Sequence, residues 1–190
     1  MKPVTGSRSF TEGGTPHSGR PTLVFLVGFM GAGKTSVGRA LGHRLGWSFE
    51  DLDDRIQQRG GRSIPEIFQA SGEVEFRRME SAALRELLAE AGATPRIVAL
   101  GGGAFAQQEN VDRIQQAAAT VVFLDGPAEE LFRRCEQEQR ERPLRRDLKQ
   151  FRELYDQRRP VYLKATRRID TQGKDVEKVA VEVACCLGLV

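Results

Sequence analysis

The chain is poor in the residues that build metal and disulfide sites. It carries 3 cysteines and 2 histidines in 190 residues. The cysteines are Cys135, Cys185 and Cys186; their odd number and the adjacent pair give no disulfide framework. His17 and His43 have no Cys or His neighbour, so no zinc-ligand spacing exists. This usage fits a reducing cytoplasm. Long apolar runs are also absent: none approaches the ~20 residues needed to span a bilayer. A charged fraction of 29% excludes a membrane bundle. Charge of one sign is not in excess either. Lys and Arg number 29 against 26 Asp and Glu, so bulk charge (+3) gives no nucleic-acid signal.

What is present suits one soluble domain. A hydrophobic share of 39%, with 20 Gly in addition, is ordinary for a globular fold. A single domain commonly spans about 100–200 residues. Residues 1–20 hold four Gly, three Ser, three Thr and two Pro, without apolar periodicity. They also lack the roughly 7–15-residue apolar core of a secretory signal. The expectation is a disordered tail over 1–20 followed by one domain over 21–190.

From Thr22 the pattern alternates. Leu23–Val27 is a short apolar run ending at Gly28, the signature of a strand buried on both faces. Thr35–Leu45 follows with helical spacing of Val37, Ala40, Leu41 and Leu45. Further strands are expected at Trp47–Asp51, Arg96–Leu100, Thr120–Leu124 and Arg167–Asp170. Ser63-Ile64-Pro65-Glu66 reads as a helix start with a capping box. Gly72 is expected to precede a long helix to Glu90, and a final helix runs from Val176 to Leu187. Strand–helix alternation implies βαβ units and a parallel sheet covered on both faces.

One motif carries the chemistry. Gly28-Phe29-Met30-Gly31-Ala32-Gly33-Lys34-Thr35 fits G-x-x-x-x-G-K-[ST], between an expected strand and an expected helix. Its N–H groups and the positive end of the helix can wrap a phosphate chain. Gly31, Ala32, Gly33, Lys34, Thr35 and Ser36 are the candidate ATP-binding residues. Lys34 would reach the β- and γ-phosphates, and the Thr35 hydroxyl would ligate Mg²⁺. The glycines do not fit G-x-G-x-x-G, so a dinucleotide site is not expected. No Asn-Lys-x-Asp motif is present, which counts against a GTPase. Small-molecule kinases remain.

Two more features bear on the acceptor. Asp51 and Asp53 sit where the second strand ends, and alternation puts them on one side if the strand continues. There one suits support of Mg²⁺ through water and the other a substrate hydroxyl; the competing reading makes Asp53 an acidic cap of the next helix. Asp125 also ends an apolar strand and rivals Asp51 as a metal residue. From Arg133 to Arg159 ten basic residues, nine of them Arg, stand against six acidic ones. Guanidinium groups suit carboxylates and phosphates, although a solvated helical face explains such a run equally well.

From Leu23 onward the sequence resembles the shikimate kinases. The resemblance rests on the phosphate loop, Asp51-x-Asp53, Ser63-Ile64-x-Glu66-Ile67-Phe68 and Gly72-Glu73-x-x-Phe76-Arg77-x-x-Glu80. It extends through Gly101-Gly102-Gly103, Arg142-Pro143-Leu144 and Arg158-x-Pro160-x-Tyr162. It implies a P-loop kinase fold of the nucleoside monophosphate kinase type. That fold has a five-stranded parallel sheet, ordered 2-3-1-4-5 and flanked by helices, with a mobile lid. It implies transfer of the ATP γ-phosphate to the 3-hydroxyl of shikimate, with Mg²⁺, in aromatic amino-acid biosynthesis.

Residue by residue, the resemblance gives Asp53, Arg77, Gly102 and Arg158 to the substrate, Arg77 and Arg158 taking its carboxylate. Thr35 and Asp51 go to the metal. Lys34, Asp53 and Arg142 are the catalytic set, with Arg142 also touching ATP from the lid. Phe68 and Phe76 wall the ring. Lys174 lies where the family often contacts adenine. One departure is Arg145, where the family usually has an apolar residue. The resemblance further implies a cytoplasmic monomer with no nucleic-acid or membrane partner. Two rivals stand: a gluconate kinase of similar fold, disfavoured by the Phe-Arg-x-x-Glu and Gly-Gly-Gly patterns, and a non-catalytic metabolite sensor.

Overall fold

A computed structural model describes residues 21–90, 92, 94–137 and 147–189. The expected tail over 1–20 lies outside them. So do Arg142, Pro143, Leu144 and Arg145.

Five strands form one parallel sheet: β1 (Leu23–Val27), β2 (Ser48–Asp51), β3 (Arg96–Ala99), β4 (Thr120–Asp125) and β5 (Arg167–Asp170). Their order is β2-β3-β1-β4-β5, as expected. β1 is central and all five of its residues are buried, which is why it reads as an unbroken apolar run. Register aligns Leu26 with Ala99 on one side and with Val122 on the other. Asp51 aligns with Ala99, and Asp125 with Asp170. Because every pairing is parallel, Gly28, Asp51, Gly101 and Asp125 all emerge at one edge of the sheet. In open α/β sheets that edge is where ligands bind.

Among the described residues seven α-helices cover the sheet: α1 (Lys34–Leu45), α2 (Leu52–Gly60), α3 (Ile64–Ala89), α4 (Gln108–Gln116), α5 (Ala128–Gln137), α6 (Leu148–Tyr162) and α7 (Val176–Cys186). The helix ends follow local chemistry. Ser63 accepts from the Glu66 N–H while the Glu66 carboxylate accepts from the Ser63 N–H, and Pro65 fills the first turn. The expected capping box is therefore present. Asp147 and Asp175 cap α6 and α7 with a single bond each, their carboxylates accepting from the N–H groups of Gln150 and Lys178.

Two expectations differ in detail. The segment over 64–89 is one helical run, yet Gly72 inside it has φ 74° and ψ 177°. The helix therefore turns sharply at a residue whose conformation only glycine adopts easily. The second strand also stops at Asp51 rather than continuing. Asp51 has extended backbone angles and caps α2, its carboxylate accepting from the Asp53 N–H at 3.1 Å. The capping acid is Asp51, not Asp53, and strand alternation does not place the two.

Candidate active site

The phosphate loop runs from the end of β1 into α1. Gly33 caps α1 with no side-chain hydrogen bond. A helix whose first turn is not closed by a side chain presents N–H groups and a positive dipole end to an anion. Lys34 reaches back across the loop, its Nζ donating to Gly28 O at 3.0 Å and Phe29 O at 3.2 Å. Thr35, on the first turn, donates its hydroxyl to Asp51 Oδ2 at 2.6 Å. The loop and the end of β2 thus meet at a hydroxyl–carboxylate pair.

Beside this pair lies a cleft of about 240 Å³, lined among others by Thr35, Asp51, Asp53, Arg77, Gly102 and Arg158. It is smaller than drug-sized pockets of roughly 300–1,000 Å³ and suits a compact polar molecule. Phe68 and Phe76 form part of its wall, stacked with ring centroids 4.6 Å apart. Both arise from α3, on either side of the Gly72 break.

The glycine loop after β3 fits closely against charged groups. A Cβ on Gly101 would lie 2.6 Å from Asp53 Oδ1 and 2.9 Å from Glu80 Oε1. A Cβ on Gly103 would lie 2.3 Å from Arg77 Nη1. Glycine is needed at these positions for close approach, not for an unusual φ. From α6, Arg158 Nη1 donates to Gly102 O at 3.3 Å, and the Tyr162 hydroxyl donates to the same oxygen.

Glu80, which the sequence offered only as the last residue of the Gly72–Glu80 motif, has a larger part. It is fully buried. Its Oε2 accepts from Arg77 Nη1 at 2.9 Å and from Gln107 Nε2 at 2.7 Å, while the buried Oε1 has no protein donor. Burial pushes its pKa up to about 7; Arg77 opposes this and the Asp53 charge adds to it. Burial alone would lower Arg77, but Glu80 and Glu73 raise it above its ordinary value. The apolar stripe of α3 carried a signal: beyond the Gly72 break, Phe76, Glu80, Ala83, Leu84 and Leu87 are its buried positions. An acid at helical spacing within such a stripe must be inside. Tyr162, likewise missed, is buried, and burial holds its hydroxyl protonated with a pKa pushed up to about 12.

The structure therefore brings together Thr35, Asp51, Asp53, Arg77, Gly102 and Arg158 around one cleft, while Lys34 turns to Gly28 O and Phe29 O of the phosphate loop. Asp125 does not join them. It is buried and holds Arg159 and Arg168, so the rival metal reading fails on its existing cation partners. Lys174 pairs with Glu182 at 2.7 Å.

Comparison with known proteins agrees with this geometry. The family model described as shikimate kinase matches residues 30–187. A shikimate kinase of Geobacter sulfurreducens is 42% identical over 172 residues, covering 89% of this chain and 91% of its own. One from Persephonella marina is 36% identical over 160 residues, covering 84% and 95%. The solved shikimate kinase of Acinetobacter baumannii in complex with shikimate superposes with a TM-score of 0.80 at 34% identity, covering 88% and 93%. The matched residues take in Lys34, the glycine loop and both arginines, with identities above 30% over most of each chain, and leave one conclusion: the chain belongs to the shikimate kinase family.

Proposed function

We propose that this chain transfers the γ-phosphate of ATP to the 3-hydroxyl of shikimate, giving shikimate 3-phosphate and ADP. The observation that carries this reading is the cleft itself: one small cavity joins the Thr35–Asp51 pair of the phosphate loop to Asp53 and to two arginines. The acceptor is a carboxylate bearing hydroxyls. Arg77 and Arg158 bind its carboxylate, since charge-assisted hydrogen bonds contribute about 1.5–3 kcal/mol each. Gly102 lies against the ring. Asp53 orients the reacting hydroxyl and accepts its proton as the new O–P bond forms and the bond to the ADP oxygen breaks. The transfer depends chiefly on position and charge, so a strong base is unnecessary.

Gly31, Ala32, Gly33, Lys34, Thr35 and Ser36 hold the phosphates of ATP, and Lys34 neutralises the charge that develops on them. Arg142, outside the described residues, adds a second cation from the lid. Thr35 and Asp51 offer hard oxygens suited to Mg²⁺. Among the described residues no cluster of three or more His, Cys, Asp or Glu could hold a metal by itself. That fits an ion shared with nucleotide phosphates and water. When bound, Mg²⁺ supplies charge neutralisation at the phosphates.

The enzyme is read as a cytoplasmic monomer, supported by the cysteine usage and by the family resemblance. Among the described residues no helix is long and apolar enough to cross a membrane.

Coupled ADP release with ATP and Mg²⁺ tests the reading. Turnover with shikimate and none with gluconate is expected. Turnover with gluconate alone overturns the acceptor assignment. Ligand binding without turnover on either acid favours a sensor.

A further inference from the structure

Asp125 stands outside the cleft, yet it is one of the most densely bonded side chains in the molecule. It closes β4 and is buried. Its Oδ1 accepts from the Gly126 N–H at 3.0 Å, the Tyr155 hydroxyl at 3.2 Å and Arg159 Nε at 3.4 Å. Its Oδ2 accepts from Arg159 Nη2 at 2.8 Å and from Arg168 Nε at 2.9 Å. One carboxylate thereby ties β4 to α6 and to β5. A polar cavity of about 480 Å³ opens beside it. The arginines lining that cavity are already engaged, Arg159 and Arg168 by Asp125 and Arg152 by Glu129. An anion would have to displace them, so the cluster reads as a structural tie and not as a ligand site.

What the tie holds is informative. Tyr155 and Arg159 form one i,i+4 stripe on α6 and face Asp125. Arg158 and Tyr162 form the neighbouring i,i+4 stripe and face Gly102 O in the acceptor cleft. Adjacent residues on a helix differ by about 100° in direction. A rotation of α6 that swung Arg158 away from Gly102 would also break Arg159 from Asp125. The helix needs such fixing, because Pro160 lies inside it, between Arg159 and Tyr162 in sequence. Proline has no N–H, so one backbone bond is missing where the aim of Arg158 and Tyr162 is set.

We infer that Asp125, acting through Arg159 and Tyr155, is a positioning residue that fixes the rotation of α6 and so aims Arg158 at the acceptor carboxylate. This rests on the acceptor role of Arg158 proposed above.

Steady-state kinetics on the full chain tests it. Arg159→Ala should raise KM for shikimate roughly 10-fold while KM for ATP stays within about 2-fold, the pattern of lost binding at one substrate only. Arg159→Lys, which keeps a cation for Asp125, should recover part of the loss. Arg168→Ala removes a partner of Asp125 that is not on α6, and should leave both KM values near native. Asp125→Asn should resemble Arg159→Ala; if it fails to fold, the Arg159 pair decides. Arg158→Ala is the reference. An unchanged KM for shikimate there overturns the acceptor role of Arg158. A raised KM there, with an unchanged one in Arg159→Ala, overturns only the positioning by Asp125. Equal losses on both substrates in Arg159→Ala and Arg168→Ala also overturn it, because they mark general destabilisation.

Discussion

Glu80 holds Arg77 from inside the protein, Oε2 to Nη1 at 2.9 Å across one turn of α3. The charge that Arg77 brings to the cleft is therefore balanced by a carboxylate whose pKa burial pushes up to about 7. Around Glu80 stand Asp53 from α2, Arg77 on its own helix, Gln107 before α4, and Arg158 and Tyr162 from α6.

The first prediction concerns pH. The folded pKa of Glu80, about 7, lies above its ordinary value of 4.5. Between these values the native state binds the extra proton, so its stability falls as pH rises and the loss is complete above about 7. Glu80→Gln should cancel that dependence, narrowing the stability difference between pH 5 and pH 8 by on the order of 1–3 kcal/mol. Denaturant melts at the two pH values measure it. In the native enzyme, KM for shikimate should fall as pH drops through 7, because a neutral Glu80 leaves the arginines less compensated; Glu80→Gln should flatten that profile. A native-like pH profile in the variant would falsify the assignment.

Asp53 lines the cleft, and the proposed function gives it the reacting hydroxyl. Asp53→Asn should lower kcat by roughly 10²–10⁴-fold, the usual range for a removed proton acceptor. ATP affinity, measured by calorimetry, should change little. A near-native kcat would remove Asp53 from the chemistry.

Asp51 has two separable duties. As a cap it accepts the Asp53 N–H, and as a charge it receives the Thr35 hydroxyl. Asn serves well as a cap, so Asp51→Asn should cost less than about 1 kcal/mol in stability. Its half-saturating Mg²⁺ should nonetheless rise roughly 10-fold, in line with lost outer-sphere support of a metal. A large stability loss with unchanged Mg²⁺ dependence would leave only the capping duty.

Gly101 separates two carboxylates from the backbone. Gly101→Ala adds a methyl that would fall within 3 Å of both Asp53 and Glu80. Overpacking of this kind costs typically about 1–3 kcal/mol. Thermal melts should show it, and kcat should drop with it because Asp53 must move. A fully active, fully stable variant would mean that the loop has more room than the geometry allows.

The parts of the fold legible in sequence were those whose signal is local. β5 spans Arg167–Asp170 as expected, and β1 and the phosphate loop were readable because an apolar run ending in a glycine motif has few other meanings. The Ser63–Glu66 box was readable for the same reason, since its bonds lie within one turn. Asp51 and Asp53 both line the cleft, but by another geometry than the sequence suggested. Strand alternation was expected to align them, whereas a helix cap does so.

Glu80 and Tyr162 were missed as site residues because their partners are distant in the chain. Tyr162 meets Gly102 across 60 positions, and Gln107 meets Glu80 across 27. Asp125 stood in the sequence as a rival to Asp51 because a carboxylate ending a β-strand looks the same whether it awaits a metal or two arginines. Only the return of α6 and β5 decides between them.

The common polarity of the strands has a practical side. β1 enters the sheet at Leu23, where Thr22 O accepts from the Arg96 N–H, and leaves it at the phosphate loop. Five residues of strand separate the two ends, about 16 Å of rise. Whatever precedes Pro21, whether its own twenty residues, an affinity tag or a fused partner, is tethered to the floor of the molecule while catalysis is worked at the mouth. Immobilising the enzyme through its amino terminus should therefore orient the cleft away from the support and leave substrate access unimpeded.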